Sequence, residues 1–291
     1  MAIIGQNYMP ELPEVQTTVN DLNRKVKGLM ITGVWTDWPK YLKKGFAKEI
    51  TGRKILKIWR IGKNIIFDLS GGKIMLIHQK MTGHLLVGKW QKEKINSYIH
   101  VIFFLSNGGK MALSDVRKFA KILVINKKDF KNLKDIKNIG PDPLLSSFKF
   151  SDFKRLVAKK RGAIKKILMD QGVISGIGNI YSDEILFVAK IHPLKKNENL
   201  NEAEFRKIFD ATKKILKKAV KLRGTSISDY RDTAGKAGRY GDVRLVYRKE
   251  GEKCPRLRQG FGGQANKCNG IIKRIKVGGR SAHFCPVCQK L

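Results

Sequence analysis

The sequence predicts an α+β fold in three parts: an N-terminal β-sandwich with a leading helix, a helical second domain and a C-terminal metal-binding β-hairpin. Short β-rich runs cut by turn residues fill residues 30–125, apolar residues recur at helical spacing over 151–222, and all four cysteines lie in the last 38 residues. At 291 residues the chain exceeds one ordinary domain, so about two compact units are expected.

The N-terminal part begins with a predicted amphipathic helix over residues 11–29. Its apolar positions Val15, Val19, Leu22 and Val26 recur every three or four residues, and Gly28 is expected to end it. Further along, β-branched and aromatic residues concentrate between turn residues in five runs, at 55–59, 65–69, 74–77, 98–105 and 121–125. Several short strands of this kind favour a β-sandwich or barrel, which defines a first domain over 9–125.

The later domain limits follow from composition. The lysine-rich stretch 126–150 contains Gly-Pro-Asp-Pro at 140–143, which continues neither a helix nor a central strand, so it is the predicted linker. The helical domain is predicted over 151–244, with helices at 153–160, at 164–169, from about 179 onward and at 202–222. Short strands around the cysteines predict the hairpin over 245–291.

The charge of the chain indicates the class of partner. Sixty Lys and Arg against 24 Asp and Glu give a net charge of +36, spread along the length, which predicts a polyanion. A very basic proteome or a ribosome-bound protein is the alternative. No apolar run approaches the roughly 18 residues of a membrane span, and residues 1–10 lack the features of a secretory signal. We therefore expect a cytosolic protein, in which clustered cysteines favour metal over disulfides.

Seven motifs occur in a fixed order, beginning with Met-Pro-Glu-Leu-Pro-Glu-Val at 9–15. The others are Gly-Lys at 62–63, His-Gln-Lys-Met-Thr-Gly at 78–83, Asp-Val-Arg-Lys-Phe at 115–119, Gly-Pro-Asp-Pro at 140–143, Gly-Ile-Gly-Asn-Ile-Tyr at 176–181 and Val-Gly-Gly-Arg-Ser at 277–281. In these motifs and their order the sequence resembles the formamidopyrimidine-DNA glycosylase family, and the resemblance covers nearly the whole chain from residue 9. The resemblance implies excision of oxidised purines from damaged double-stranded DNA, followed by strand cleavage. It also implies a monomer with one structural Zn2+ and no organic cofactor, which meets the nucleoid through DNA and contacts no membrane.

The resemblance assigns the chemistry to Pro10, Glu11 and Lys63. A free α-amine has a pKa of about 8, so part of it is unprotonated at neutral pH and attacks carbon. Attack of the proline amine on sugar C1′ expels the base and leaves an iminium cation, which acidifies the C2′ hydrogen and promotes phosphate elimination. Glu11 is implied to protonate the opening sugar ring, and Lys63 to contact a phosphate. A helix-start carboxylate and an uninvolved surface lysine are the alternatives.

Residues 1–8 conflict with this chemistry. While they remain attached, the Pro10 nitrogen is a tertiary amide that cannot form the iminium. We therefore expect translation to start at Met9, whose removal exposes the amine, so that residues 1–8 are absent from the active protein. If they remain, the alternative is a catalytically silent DNA-binding zinc protein.

Four residues match family positions around the damaged nucleotide. Met81, Arg117 and Phe119 match two apolar wedges and an arginine that fill the hole left by a flipped nucleotide. A packing role is the alternative for Met81 and Phe119. Glu14 matches a helix-start carboxylate near the damaged nucleotide.

Other residues match phosphate contacts. His78 matches a phosphate-contacting histidine, with a satisfied core histidine as the alternative. Residues 171–184 resemble the family's helix-two-turn-helix element, in which Asn179 opens a helix whose N-terminus favours a phosphate and whose first side chain is also a candidate N-cap. Arg280 in the hairpin matches an arginine that reaches the phosphates flanking the lesion. Lys165 and Lys166 are candidates for backbone contacts from composition alone.

Gly-Thr-Ser-Ile-Ser-Asp-Tyr at 224–230 resembles the stretch that opens the family's loop over the flipped base. The implied loop residues are Thr225, Ser226 and Tyr230. This stretch and Leu12 favour the oxidised-purine branch, and a glycosylase of the same fold for oxidised pyrimidines is the alternative. Two positions depart from the family pattern. Ser228 replaces the usual basic residue, and Ala237 stands where the family often has proline.

The cysteine spacing matches the family's zinc hairpin except at its first pair. The spacing is Cys254-x13-Cys268-x16-Cys285-x2-Cys288, whereas a Cys-x2-Cys pair is expected first. Removing residues 256–266 restores Cys-Pro-Lys-Cys, so these residues are interpreted as an in-frame insertion. We expect the site to keep its zinc if all four thiolates still converge.

Overall fold

The computed structural model describes residues 9–88, 97–226, 230–259 and 265–291, which form two compact units. The first unit contains the chain up to Asn138 together with Ala219–Gly241, and the second contains Ile139–Lys218 and Asp242–Leu291. The boundary falls inside the predicted linker. Segment 219–241, which the sequence assigns to the helical domain, packs within the unit that holds the N-terminal helix. The predicted extension, residues 1–8, lies outside the described residues.

Helix α1, Leu12–Lys25, opens the first unit. Pro13 is tolerated in its first turn because the first four N–H groups of a helix have no helical partner. The helix ends four residues before the predicted limit, and Gly28 adopts φ +88° just beyond it. The apolar face is buried at the predicted positions Val15, Val19, Leu22 and Val26.

Eight strands form one antiparallel sheet in the order β5-β7-β6-β1-β2-β3-β4-β8. They are β1 (Met30–Thr36), β2 (Arg53–Ile61), β3 (Asn64–Leu69), β4 (Lys73–His78), β5 (Gly83–Val87), β6 (Ile99–Leu105), β7 (Lys110–Asp115) and β8 (Lys121–Asn126). Strands β1 and β2 pair only through Met30 with Lys54 and Ile31 with Arg53, so the sheet consists of two four-stranded halves. Both halves and α1 contribute to one core, which is the predicted sandwich.

The outer face of the half formed by β2, β3, β4 and β8 is covered as well. Ile66 and Leu76 pack there against Trp59 and Phe130. The cover consists of a 3-10 helix, Lys127–Asn132, and helix α3, Lys134–Lys137, whereas the short helix α2, Phe46–Ile50, packs into the main core. Residues from the predicted linker therefore complete the first unit.

The second unit is helical and ends in two β-hairpins. Its helices are α4 (Phe150–Ala158), α5 (Ile164–Leu168), α6 (Asn179–Ala189) and α7 (Glu202–Lys221), whose last turn enters the first unit. Each predicted helical stretch overlaps one of them, and α4 begins three residues before its predicted start. The hairpin strands are β9 (Leu257–Gln259), β10 (Ala265–Lys267), β11 (Lys273–Val277) and β12 (Arg280–Phe284). None of the described helices combines the length and apolar character needed to cross a bilayer.

Candidate active site and nucleic-acid interface

Pro10 and Glu11 lie directly before α1, and both are buried. The Glu11 backbone N–H donates to Glu14 Oε2 at 2.9 Å, and the Glu11 carbonyl accepts from the Val15 N–H at 3.1 Å. Because both backbone groups of Glu11 are bound by the first helical turn, the predicted acid/base and the nitrogen before it are anchored to a rigid element.

The Glu14 carboxylate joins the helix start to a distant segment. Its Oε1 accepts the Thr225 N–H at 2.7 Å, across 211 residues of sequence. Gly224 has φ +80°, and a Cβ there would lie 2.7 Å from the same Glu14 oxygen, so glycine is required. The carboxylate that the sequence assigns to DNA is thus already bound by two backbone N–H groups of the first unit.

The predicted loop residues meet at this point. The Ser226 hydroxyl donates to the Tyr230 carbonyl at 2.6 Å and accepts the Gly238 N–H at 2.8 Å. The Tyr230 hydroxyl donates to the Glu14 backbone carbonyl at 3.2 Å. Burial, together with the Glu14 charge, raises the pKa of Tyr230 well above its ordinary value. Thr225, Ser226 and Tyr230 therefore contact the start of α1 directly or through one another, whereas Ser228 lies outside the described residues.

Lys63 occupies the turn between β2 and β3, beside the end of β4. Its neighbour Asn64 pairs with His78, so Lys63 and His78 lie at the same end of the sheet. The Arg60 Nε donates to Gln16 Oε1 at 2.8 Å and thereby ties the end of β2 to α1. Two residues assigned to phosphate contact are thus neighbours.

The protonation state of His78 follows from its surroundings. Burial, then the positive charges of Lys80 and Lys63, lower the pKa of His78 to about 4. Its Nδ1 accepts the Lys80 N–H at 2.9 Å, which leaves the proton of the neutral ring on Nε2. At physiological pH, His78 is therefore a neutral N–H donor and carries no charge.

The predicted void-filling residues form one exposed group. The Arg117 guanidinium carbon lies 4.6 Å from the centre of the Phe119 ring, and the Arg117 Nη1 lies 3.6 Å from Met81 Sδ. Phe119 is 51% exposed and Val116 on the same turn is 49% exposed, so this turn presents apolar surface to solvent. The structure therefore brings all three residues together on the connections that follow β4 and β7.

Asp115 organises this group, and the sequence analysis did not assign it a role. Its Oδ2 accepts the N–H groups of Phe119 and Ala120 at 2.7 Å each, and its Oδ1 accepts the Thr82 hydroxyl. Asp115 is fully buried, so these bonds fix the turn that presents Phe119. Its place at the start of the Asp-Val-Arg-Lys-Phe motif was the available signal.

The helix-two-turn-helix element lies between α5 and α6. The Gln171 amide braces its turn: Nε2 donates to the Ile177 carbonyl at 2.7 Å, and Oε1 accepts the Gly176 N–H at 2.8 Å. Gly178 is the N-cap residue, and Asn179 begins α6 as predicted. The Asn179 side chain forms no cap, and its Nδ2 donates to Tyr247 Oη at 3.4 Å.

The interpretation of Lys165 as a backbone contact is wrong. Its side chain is fully buried, where its ammonium pairs with Asp183 and lies 3.4 Å from the Asn179 carbonyl oxygen. Asp183 also accepts the backbone N–H of His283 at 2.8 Å. Lys165 therefore links α5, α6 and β12, because a buried cation requires a paired carboxylate. Lys166 is exposed, and its contact with the DNA backbone stays a prediction.

Arg280 is exposed at the turn between β11 and β12. A cavity of about 430 Å³ lies beside it, and its charged lining residues are Lys160, Arg161, Lys166, Asp170 and Arg280. Four cations against one carboxylate give this cavity a positive charge that suits phosphate oxygens. Two predicted phosphate contacts, Lys166 and Arg280, therefore share one surface of the second unit.

The four cysteines converge. Their sulfur atoms all lie within 4.8 Å of one another. The Cys268 and Cys288 sulfurs are 3.4 Å apart, and the Cys254–Cys288 and Cys268–Cys285 pairs are 3.9 Å apart. Zn–S bonds of about 2.3 Å in a tetrahedron place sulfurs roughly 3.8 Å apart, so the cluster fits zinc.

The insertion lengthens the first pair without separating its thiols. The Cys254 N–H donates to the Gly270 carbonyl, and the Cys268 N–H donates to the Arg256 carbonyl, each at 2.8 Å. Strands β9 and β10 continue this pairing as an antiparallel ribbon up to Gln259 and Ala265. Because the extra residues pair with one another, the chain returns to Cys268 at the spacing the site requires. Residues 260–264 lie outside the described residues.

These features define a class of protein: an α+β chain of two units, with a proline-led helix on an antiparallel sandwich in the first unit. The second unit combines a helix-two-turn-helix element with a four-cysteine hairpin. Family models match in the same order: the formamidopyrimidine-DNA glycosylase N-terminal domain at residues 9–122, the H2TH domain of the same family at 139–231, and a zinc finger found in FPG and IleRS at 251–291.

Similar proteins and solved structures belong to the same family as these models. The chain is 37% identical over 287 residues to the formamidopyrimidine-DNA glycosylase of Pelotomaculum thermopropionicum, covering 97% of this chain and 100% of that protein. The Listeria innocua protein of the same name is also 37% identical, over 286 residues, with 97% and 100% covered. A crystal structure of Lactococcus lactis Fpg with abasic-site DNA matches with a TM-score of 0.84 at 33% identity, covering 97% and 100% of the two chains. The MutM (FPG) protein of Thermus thermophilus matches with a TM-score of 0.82 at 32% identity, covering 96% and 98%.

The chain therefore belongs to the formamidopyrimidine-DNA glycosylase family. Its four cysteines form one structural zinc site.

Proposed function

We propose that the protein is a bifunctional DNA glycosylase that excises oxidised purines, including 8-oxoguanine and formamidopyrimidines, from double-stranded DNA and then cleaves the backbone. The observation that carries the proposal is the Pro10–Glu11 pair, anchored at the start of α1 in a chain of this family. The net charge of +36 supports a DNA partner. The relatives' names and a Lactococcus lactis Fpg complex with Fapy-dG DNA support the lesion class. We place this activity in the bacterial cytoplasm.

In the proposed reaction, the Pro10 nitrogen bonds to sugar C1′ while the bond from C1′ to the base breaks, and the base leaves with a proton. Glu11 gives a proton to the ring oxygen as the C1′–O bond opens, which leaves an iminium between Pro10 and the sugar. The C2′ proton passes to water and the electron pair of its bond neutralises the iminium, which gives an enamine. The enamine then expels the 3′ phosphate. A second elimination releases the 5′ phosphate, and water then frees the amine. One nucleophile thus serves both base removal and strand cleavage.

The nucleophile must be a free amine, so we propose that the active protein begins at Pro10 after translation from Met9 and removal of that methionine. The family's N-terminal domain model begins its match at residue 9. The whole length of the Pelotomaculum thermopropionicum relative aligns with 97% of this chain. Intact-mass analysis of the native protein tests this proposal, and a dominant species that retains residues 1–8 would contradict it.

The remaining predicted residues hold the DNA. Lys63 and the neutral His78 contact phosphates at one end of the sheet, and Glu14 positions the segment that meets the damaged base. Met81, Arg117 and Phe119 fill the space left by the flipped nucleotide. Phosphates flanking the lesion contact the start of α6 at Asn179 and the basic surface around Arg280. The structural zinc serves this last contact, because it shapes the hairpin that presents Arg280.

The proposal is tested by base excision from matched duplexes that contain 8-oxoguanine or an oxidised pyrimidine. The protein that begins at Pro10 is expected to prefer 8-oxoguanine, and Glu11→Gln is expected to slow excision about 10²- to 10⁴-fold because proton donation is lost. Glu202→Gln, on an exposed carboxylate of α7, is the matched control and should retain the wild-type rate. Preference for the pyrimidine lesion would favour the alternative branch, and full activity of Glu11→Gln would contradict the acid/base role.

A further inference from the structure

One charged cluster of the first unit has no part in the chemistry above. Arg223, just beyond α7, lies between two carboxylates whose side chains are each 3% exposed. Its guanidinium donates to Asp232 Oδ2 from Nε at 2.9 Å and from Nη2 at 2.7 Å. It also donates to the two oxygens of Asp21, from Nη1 at 3.2 Å and from Nη2 at 2.5 Å. Only the planar, multiply donating head of arginine makes such a bridge, which lysine cannot reproduce.

The backbone of Arg223 is held in an unfavourable conformation. Its φ is +65°, in the left-handed region where residues other than glycine are uncommon. Such a conformation persists where surrounding interactions stabilise it. Here the four hydrogen bonds of the Arg223 side chain do so. The sharp end of α7 is therefore maintained by the same side chain that bridges the carboxylates.

Each carboxylate organises a different part of the chain. Asp21 lies on α1, and its Oδ2 also accepts the Thr233 hydroxyl at 3.0 Å. Asp232 uses Oδ1 to accept the N–H groups of Ala234 at 2.8 Å and Lys236 at 3.0 Å. These bonds close a turn within the loop, bounded by Gly224 and Tyr240, that the resemblance places over the flipped base. Arg223 thus connects α1, the end of α7 and this turn.

The two roots of the loop are also paired with each other. The Tyr240 N–H donates to the Gly224 carbonyl at 2.9 Å, and the Arg239 N–H donates to the Leu222 carbonyl at 2.8 Å. Together with the bond from Thr225 to Glu14, these contacts fasten both roots to α1. The first turn of that helix follows Pro10 and Glu11, so the loop and the nucleophile share one support.

We infer that Arg223 is a positioning residue for recognition of the damaged base, because it holds the described parts of this loop, residues 224–226 and 230–240, against the helix that follows Pro10 and Glu11. The inference rests on the proposed function, and the ligand concerned is the oxidised purine of the flipped nucleotide. A displacement of about 1 Å in such a support costs up to roughly 100-fold in rate. An abasic site contains no base to recognise, so cleavage at a preformed abasic site does not depend on this positioning.

The test compares Arg223→Gln with the wild-type protein, both beginning at Pro10, in two single-turnover assays. Excision of 8-oxoguanine is expected to fall roughly 10- to 100-fold, whereas cleavage of an abasic-site duplex keeps its wild-type rate. Arg223→Lys should recover only part of the excision rate because it restores the charge without the two-sided bridge. Arg24→Gln is the matched control, since Arg24 is 69% exposed and pairs with the same Asp21. It should leave both rates unchanged.

Hydrogen exchange provides a readout that does not need activity. In Arg223→Gln, exchange of the Thr225, Ala234 and Lys236 amides is expected to accelerate, while amides of the β3–β4 pair stay protected. Equal loss of both cleavage activities, or unchanged exchange at the three amides, would overturn the inference. A wild-type protein that excises no base would refute the proposed function, and the exchange data would still decide whether Arg223 fixes the loop.

Discussion

At the residue scale, the motifs mark positions near the start of α1 but do not reveal which side chains and backbone groups bind one another. Glu14 belongs to the Pro-Glu-Leu-Pro-Glu start, but its carboxylate is bound by Thr225, 211 residues away. Lys165 is one of 60 Lys and Arg residues, and nothing in the sequence marks it as the cation buried against Asp183. Both outcomes depend on tertiary contacts that local sequence does not encode. Met81, Arg117 and Phe119 were predictable as a group because two motifs name them, and the fold brings those motifs together.

Phe119→Ala tests the wedge at this scale. Loss of a base-stacking aromatic side chain costs about 1–3 kcal/mol, so binding to lesion duplex should weaken by that amount while binding to single-stranded DNA changes much less. The measurement is the dissociation constant for each DNA at one salt concentration. Because Phe119 is 51% exposed, the free energy of unfolding should barely change.

Trp35→Ala is the matched control, since Trp35 is a 45% exposed aromatic residue on β1. It should leave both dissociation constants unchanged. Equal weakening of duplex and single-strand binding by Phe119→Ala would contradict the wedge and favour a general aromatic contact.

At the element scale, strands with a run of β-branched, aromatic and other large apolar residues uninterrupted by glycine were predictable and the others were not. The predicted runs lie in β2, β3, β4, β6 and β8, all rich in isoleucine or valine. Strands β1, β5 and β7 were not distinguished as separate runs. Gly33 interrupts β1, and β5 contains one β-branched residue and β7 none. They are strands because their neighbours pair with them, and pairing overrides a weak propensity.

Strands β9 and β10 form a ribbon that was not predicted. The sequence indicated only that residues 256–266 are an insertion. Its residues pair from Arg256 with Cys268 onward, and the Arg256 guanidinium carbon lies 4.5 Å from the centre of the Phe187 ring at the end of α6. The thiol cluster therefore keeps its geometry, because the added chain forms its own hydrogen bonds.

Deletion of residues 256–266 tests this description. The zinc content is expected to stay at one ion per chain, because the four sulfurs already converge in the presence of the ribbon. Shortening the loop between Cys254 and Cys268 from 13 to two residues should raise the free energy of unfolding by at most about 1.5–2 kcal/mol. Metal analysis and denaturant unfolding measure the two quantities.

Cys268→Ser, which removes one ligand and leaves the ribbon, is the control that should lose the zinc. Zinc bound by the shortened protein and not by the full one would contradict the geometry described for the inserted ribbon.

At the scale of the whole molecule, the order of domains was predictable and the membership of segment 219–241 was not. The β-rich runs, the helical spacing of apolar residues and the cysteine cluster predicted the sandwich, the helical domain and the hairpin in this order. Segment 219–241 follows a helix of the second unit, but Glu14 and Asp21 of α1 bind it into the first. The proposed activity depends on this arrangement, because the helix that follows the nucleophile also supports the loop for the base.

The central claim is that the Pro10 nitrogen bonds covalently to deoxyribose, and borohydride reduction on an 8-oxoguanine duplex tests it most directly. The protein that begins at Pro10 should yield a reduced enzyme-DNA adduct whose peptide map assigns the link to Pro10. The full 291-residue chain, with that nitrogen in an amide bond, should yield none. No adduct from the protein that begins at Pro10, or an equal yield from both proteins, would contradict the account.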